Sequence, residues 1–404
     1  GVETVGTDHG RLAEPAVKMR RFAETDLLSA QLDAGLLEAG REEALLAFVE
    51  GLHIAAPTAP PLHGTPIEVW QQVQGALSGL SPELHDGGLP ARVLGRLERS
   101  HGALVQRHAE GRILDCHGDL HTANILWRDG RWQAFDCIEF NDALRYQDPA
   151  NDLAFLLMDL EHLGQGPLAH RLLNAWLTAT GDFGALAVLP LYRAYRALVR
   201  AKVLCLQARN GSASGSAPML AKARSLVALA ERYLAPRSAP LLVITHGVAA
   251  SGKSSVADRL VREAGMIHLR ADFERRRIAG LPLRARSGSR AGGGLYTPAH
   301  TVKTYDRLAM ATVAALGAGQ SVVVDATFLR VEQRRRFRAL ARLCGAGFQI
   351  ADRDAPVPVL RERLHIRAIA GEDPSEATEA VLEMQLASRE PLTPEEQALV
   401  RPEG

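Results

Sequence analysis

Lysine is scarce in this chain: among 47 lysines and arginines, lysine stands only at 18, 202, 222, 253 and 303. Arginine supplies the rest, so the place of each lysine carries information. The four cysteines, Cys116, Cys137, Cys205 and Cys344, are far apart and form neither a C-x-x-C pair nor a cluster with histidine. That excludes a disulfide framework and a zinc site and leaves reduced thiols. No apolar run approaches the ~18 residues of a membrane span, and no signal-like segment opens the sequence, so a cytoplasmic protein is expected. Charge of one sign is lacking too. With 47 basic and 46 acidic residues the net charge is +1, which argues against a dedicated nucleic-acid surface. The short runs Arg275–Arg277 and Arg334–Arg336 read as solvated helix faces. The first residue is Gly1, not methionine, which suits a fragment or a processed product.

What is present is globular composition, 47% hydrophobic and 23% charged, over 404 residues. That is too long for one ordinary core, and two domains are expected. The patterning divides them at 1–235, a linker at 236–240 around Pro236 and Pro240, and 241–404. In the first, two short strands (2–5 and 16–19) lead to helices near 25–38, 41–53, 66–79 and 90–110. A compact alternation of strands and turns over 113–141 comes next. Helix then runs from 153 to 234, broken at 164–167, 181–184 and the loose NGSASGSAP of 210–218. After the linker, strands at 241–246, 266–271, 321–325 and 347–351 alternate with helices, the pattern of a parallel, doubly wound sheet. No last strand is expected after PLTPEEQ, so this sheet reads as short.

The stretch LLVITHGVAASGKSS (241–255) turns from a β-branched strand into a glycine-punctuated loop and a helix start. G-x-x-x-x-G-K-S is complete at 247–254. Gly247, Ala249, Ala250, Ser251, Gly252, Lys253, Ser254 and Ser255 are the expected nucleotide-binding residues. Gly247 and Gly252 let backbone N–H groups close round phosphate oxygens, Lys253 reaches the terminal phosphates, and the Ser254 hydroxyl ligates magnesium. Two further strands end in aspartate, Asp272 after LRA and Asp325 after three valines. In an open parallel sheet both face the crevice at the carboxyl ends of the strands. Asp325 then has the form of the acidic residue at magnesium, and Asp272 is placed to take a proton from an acceptor hydroxyl, although either also suits a helix N-cap. In VLRERLHIRAIAG, Arg363 and Arg367 share a helix face and Arg361 turns away from it. Such a face closes on the transferred phosphate or is simply solvated.

Residues 113–152 carry polar groups where a core would not choose them. His117, Asp119 and Asn124 fall in one loop, and Asp136 ends the next short strand. Magnesium-assisted phosphoryl transfer uses such a set: a carboxylate to orient the attacking hydroxyl, with an amide and a second carboxylate for the metal. HGDLHTAN, AFDCIEFN and YQDPANDLA resemble the catalytic region of the aminoglycoside phosphotransferases and related small-molecule kinases of the protein-kinase-like fold. The resemblance covers roughly residues 16–234. It implies that Asp119 is the catalytic base, Asn124 and Asp136 the magnesium ligands, His117 a brace and Asp152 the residue that ties the loop down. Glu139 is a further metal ligand or a turn residue. Such a kinase needs a glycine-rich loop and a strand lysine. Lys18 is the only lysine before 202, and AVKMRRF reads as the last strand of the small lobe and the hinge. A mostly helical large lobe with the small lobe largely missing is therefore expected.

The second half resembles the small P-loop kinases related to polynucleotide kinase and the zeta-type toxins, through GVAASGKSS, LRAD and VVVDATF in order. By that resemblance Asp272 is the base, Lys253 and Ser254 hold phosphate and magnesium, and one arginine among 361, 363 and 367 is the lid arginine. The two halves together resemble a known bacterial two-domain arrangement. Expected, then, are an α+β kinase-like domain and an α/β P-loop domain. ATP and Mg2+ are the expected cofactors, with a small-molecule hydroxyl as acceptor. An ATP-switched regulatory protein and a toxin-like or polynucleotide-end kinase are the alternatives.

Overall fold

The computed structural model describes residues 2–4, 7–8, 11–12, 15–17, 21–85, 87–210, 213–236, 238–283, 293–370 and 378–402, with backbone alone for 2–17, 213–214 and 367–370. Lys18 lies outside the described residues. The N-terminal region opens with two antiparallel pairs: β1 (Val2–Thr4) with β4 (Pro15–Val17), and β2 (Thr7–Asp8) with β3 (Arg11–Leu12). Helices α1 (Leu28–Asp33), α2 (Ala39–Gly51), α3 (Pro66–Leu77) and α4 (Leu89–Ala109) follow. The helix expected over 25–38 stops at Asp33, because Gly35 takes a left-handed φ of 65° that closes it. Thr65 and Glu68 form a capping box that starts α3 beside Pro66.

The polar segment consists of β5 (Leu114–Asp115), the hairpin β6 (Ile125–Arg128) and β7 (Arg131–Ala134), the single turn α5 (Asp142–Arg145) and β8 (Tyr146–Gln147), which pairs with β5. Asp129 and Gly130 turn the hairpin with φ of 51° and 74°, the double left-handed turn that matches strand twist. Helix α6 (Pro149–His162) is buried along every residue from Pro149 to Leu160, so it is the central post of this region. Around it pack α7 (Gly166–Thr180), α8 (Leu189–Asn210) and α9 (Ala213–Leu234). The loop expected at 210–218 is a correction: helix α9 already runs from Ala213 and includes Pro218. Ala223, Leu226, Val227 and Ala230 of α9 are buried in one core with Ala201 and Cys205 of α8. That burial fastens the later turns of α9, beyond the glycine, serine and proline of its first turns.

The C-terminal region continues with β9 (Leu241–His246), α10 (Lys253–Ala264), β10 (Ile267–Arg270), α11 (Ala271–Ile278), α12 (Pro298–Gly317), β11 (Val322–Asp325), α13 (Val331–Leu343), β12 (Gly347–Asp352), α14 (Val357–Ala370), α15 (Glu379–Ser388) and α16 (Pro394–Gln397). The sheet is parallel throughout in the order β10-β11-β9-β12, as the alternation predicts. Its two inner strands, β9 and β11, open with the apolar runs LLVI and VVV, as strands buried on both faces do. The sheet does not stop at β12. Val400 makes a parallel bridge to Ile350, with Ile350 N–H donating to Leu399 O at 2.9 Å and Arg401 N–H to Ile350 O at 2.8 Å. The expectation of no strand after PLTPEEQ is corrected to that extent.

The arginine runs are also corrected, since each hides a buried guanidinium. Arg276 is 3% exposed and Arg334 is 1% exposed. Arg334 donates to both Glu396 carboxylate oxygens at 3.0 and 2.9 Å and to the carbonyls of Phe328, Glu390 and Pro391. Its charge is neutralised and its donors are satisfied, which is the condition for burying arginine. The four cysteines are free. Among the described residues no helix is long and apolar enough to cross a membrane.

Candidate active site

Strand β9 delivers the chain into the loop 247–252 at the centre of the sheet. Gly247, at φ 140°, has no room for a side chain, because a Cβ would stand 2.2 Å from Arg353 O. Ala250 at φ 62° and Gly252 at φ 97° complete a loop whose backbone curls in front of α10. A helix N-terminus behind a left-handed loop is an anion site: its N–H groups converge and the macrodipole adds positive charge. Lys253 Nζ is folded back onto Val248 O at 2.6 Å, so the ammonium lies over the same loop.

Three neighbouring elements bring groups to this cleft, which Lys253, Ser254, Arg270, Asp272 and Asp325 line together. Ser254 Oγ donates to Asp325 Oδ2 at 2.7 Å, joining α10 to the end of β11. Burial alone would raise the Asp325 carboxyl. The His268 imidazole, Lys253 and Arg270 outweigh it and hold the group ionised well below the ordinary carboxylate range. His268 Nε2 stands 3.5 Å from Asp325 Oδ2, the outer limit of a hydrogen bond. Asp272 lies on the first turn of α11. Burial, with Asp325 nearby, pushes its carboxyl up, against the opposing pull of Arg275, Arg270 and Arg276. Two carboxyls of one cleft are thus driven apart, one kept as a fixed anion and one made the more basic.

Helices α14 and α15 cover the loop. Arg363 Nη1 donates to Ala250 O at 3.2 Å, and Arg361 turns away to Glu379 at 2.7 Å and Glu383 at 3.1 Å. This is the division of faces expected from spacing. The Arg367 side chain lies outside the described residues. Gln385 of α15 accepts from the Ala249 N–H at 2.7 Å.

In the N-terminal region, Asn124 Nδ2 donates to Asp119 O at 3.0 Å and to Asp119 Oδ2 at 3.2 Å. Its Oδ1 is left for another group. Burial would raise the Asp119 carboxyl, but His121, with Arg196 and His117 farther off, outweighs it and lowers it. Phe135 N–H donates to Asn124 O at 3.0 Å. Asp136, at φ 62°, is exposed, and Glu139 is exposed too. His117 braces the loop through Phe135 O at 2.8 Å. Asp152 ties it down by accepting from His117 N–H at 3.1 Å and Gly118 N–H at 3.0 Å. It also faces His53 Nε2 at 3.0 Å. The Trp176 indole donates to His53 Nδ1 at 3.2 Å, so Nε2 is the protonated nitrogen.

Two family models match. Residues 2–198 fit the phosphotransferase enzyme family, and residues 242–392 fit an AAA domain. The two parts of the chain are thus similar to two different families, the first to phosphotransferases and the second to AAA domains. Curated relatives carry the same span: uncharacterized proteins of Mycobacterium tuberculosis and Mycobacterium bovis are 29% identical over 395 residues, 95% of this chain and 78% of theirs. Among solved structures, a gluconokinase from Sinorhizobium meliloti is 22% identical with a TM-score of 0.29, over 41% of this chain and 82% of its own. A sugar kinase from Janibacter is 23% identical with a TM-score of 0.28, over 39% and 82%.

Sequence reasoning missed several residues of these two regions. His53 is 99 positions from Asp152, and Gln385 is 136 positions from Ala249. Neither belongs to a motif. His268 stood in a strand where a polar residue signals a site, and that signal was available. Arg196 is buried beneath the phosphotransferase-family loop, bonded to Asn151 Oδ1 at 2.8 Å and Gln147 Oε1 at 2.7 Å and stacked over Phe155 at 4.9 Å.

Proposed function

We propose that the P-loop kinase region transfers the γ-phosphoryl group of ATP to a hydroxyl of a small molecule, with Mg2+, in the cytoplasm. The observation that carries this reading is the gathering of Lys253, Ser254, Asp272 and Asp325 round one cleft. The residues fit ATP and the metal. The loop is shaped so that a Cβ at 247 would clash, its lysine lies over it, and a hydroxyl and an ionised carboxylate already touch. Bound magnesium would neutralise charge on the phosphates, held by Ser254 and Asp325. Gly247, Ala249, Ala250, Ser251, Gly252, Lys253, Ser254 and Ser255 would hold the phosphates. Asp272 takes the acceptor proton, and Arg363, Arg367 or both approach the phosphate from above. Raised basicity suits Asp272 to this task, since a base works best with a pKa brought towards the operating pH.

The phosphotransferase-family region supports a second site of the same chemistry. Asp119 is the base there, Asn124 and Asp136 are the metal ligands, and the carboxamide of Asn124 already contacts Asp119. On this reading the chain divides at 236–240. The balanced charge favours small acceptors over polynucleotides.

Equilibrium titration of the full chain with labelled ATP tests the first assignment. Lys253→Ala is expected to remove most of the binding that belongs to the 247–254 loop, because the backbone donors alone hold a tetraanion weakly. Unchanged affinity would sink it. ATP consumption across panels of sugars, aminoglycosides, nucleosides and polynucleotide ends then identifies the acceptor.

A further inference from the structure

Strand β10 is an edge of the sheet, and its carboxyl end supplies Arg270 to the phosphate cleft. An edge strand leaves every second peptide group without a neighbour. Ile267 is turned to β11, its N–H donating to Ser321 O at 2.8 Å. Met266 O and His268 N–H therefore face outward. The phosphotransferase-family region fills that gap with one side chain. Asn174 of α7 accepts from His268 N–H at 2.6 Å through Oδ1 and donates from Nδ2 to Met266 O at 3.1 Å. One residue of a parallel neighbouring strand makes this same pair of bonds. Nδ2 also donates to His170 O at 2.9 Å, so a flipped amide would set Oδ1 against two carbonyls and Nδ2 against an N–H.

The residue held in this way is His268, whose ring lies between two carboxylates. Nδ1 is 3.6 Å from Asp258 Oδ1, and Nε2 is 3.5 Å from Asp325 Oδ2. Asp325 in turn receives the Ser254 hydroxyl. A continuous path runs from α7 through the β10 backbone and an imidazole to the two residues assigned to magnesium. Flanking contacts fasten α7 along the same edge. A Cβ at Gly265 would stand 2.7 Å from the His170 ring, and Arg277 donates to the carbonyls of Thr178 and Ala179.

We infer that Asn174 is a positioning residue for the phosphate site: the N-terminal region sets the place of β10 and, through His268, the presentation of Asp325 to magnesium. The inference rests on the reading of Ser254 and Asp325 as the magnesium residues. It is tested in the full chain by Mg2+-dependent binding of labelled ATP to wild type, Asn174→Asp, Asn174→Ala, His268→Gln and the Asn174→Ala/His268→Gln double variant. Asn174→Asp keeps the shape and the acceptor but loses the donor to Met266. Amide exchange at His268, faster in both Asn174 variants, reports that the clamp has opened in a folded chain. The Mg2+ midpoint is expected to rise about 2- to 30-fold in each single variant, and the double variant to match His268→Gln rather than add to it. Wild-type midpoints in the Asn174 variants overturn the coupling, whatever their thermal stability, and so does an additive double variant. Absence of Mg2+-dependent ATP binding in the wild type itself would instead refute the magnesium assignment, and this inference with it.

Discussion

Gln385 and a nucleotide compete for one hydrogen. The Ala249 N–H belongs to the loop proposed to close round phosphate, yet it donates to Gln385 Oε1 at 2.7 Å. ATP must break that bond to use the amide. The net worth of a neutral hydrogen bond is about 0.5–1.5 kcal/mol. Gln385→Ala removes the competitor, so ATP affinity is expected to rise about two- to twelve-fold. Gln385→Glu keeps the reach but places a carboxylate on the amide. A charge-assisted bond is roughly twice as strong, and the added charge repels phosphate, so this variant is expected to bind ATP more weakly than wild type. Titration with labelled ATP at constant Mg2+ and ionic strength gives the order. Weaker binding by Gln385→Ala than by wild type would refute the argument and make the glutamine a contact to the nucleotide.

Asp272→Asn is expected to leave ATP affinity near wild type and to lower acceptor phosphorylation by about 10²–10⁴-fold; loss of nucleotide binding instead would assign the residue to the metal. Burial first, then Asp325, raises this carboxyl above 3.8, and the base must be ionised to act. Turnover should therefore fall as pH drops through that raised value, giving an acid limb above 3.8 that disappears in Asp272→Asn. Arg334→Ala strands the Glu396 carboxylate at 5% exposure, and urea unfolding is expected to show a loss of about 3–5 kcal/mol. A loss under ~1 kcal/mol would mean that the pair behaves as a surface bridge.

The parts of the site that were legible in the sequence are those whose chemistry is local. The loop 247–254 announces itself because strand, turn and helix start must follow one another to make a phosphate site. Asp325 could be placed because strand ends in a parallel sheet point to one crevice, Asp272 lines that crevice from the first turn of α11 just past the end of β10, and Arg361 separates from Arg363 by helical spacing alone. The rest depends on partners that only folding brings near. Arg334 looked like a solvated residue because its carboxylate and carbonyl partners include positions 56 to 62 residues away. The segment 210–218 looked like a loop because its composition resists helix, whereas α9, whose later turns pack on α8, already runs from Ala213. Gln385 and Asn174 are ordinary amides in ordinary helices, and nothing in their own sequence marks what they touch.

The borrowed neighbour of β10 also dates the steps of assembly. Asn174 precedes His268 by 94 positions, so during synthesis the carboxamide is already made when the strand that needs it leaves the ribosome. A chain that meets its own α7 first closes the edge at once. Separated from that helix, Met266 O and His268 N–H stand open as a template on which another copy can add a strand.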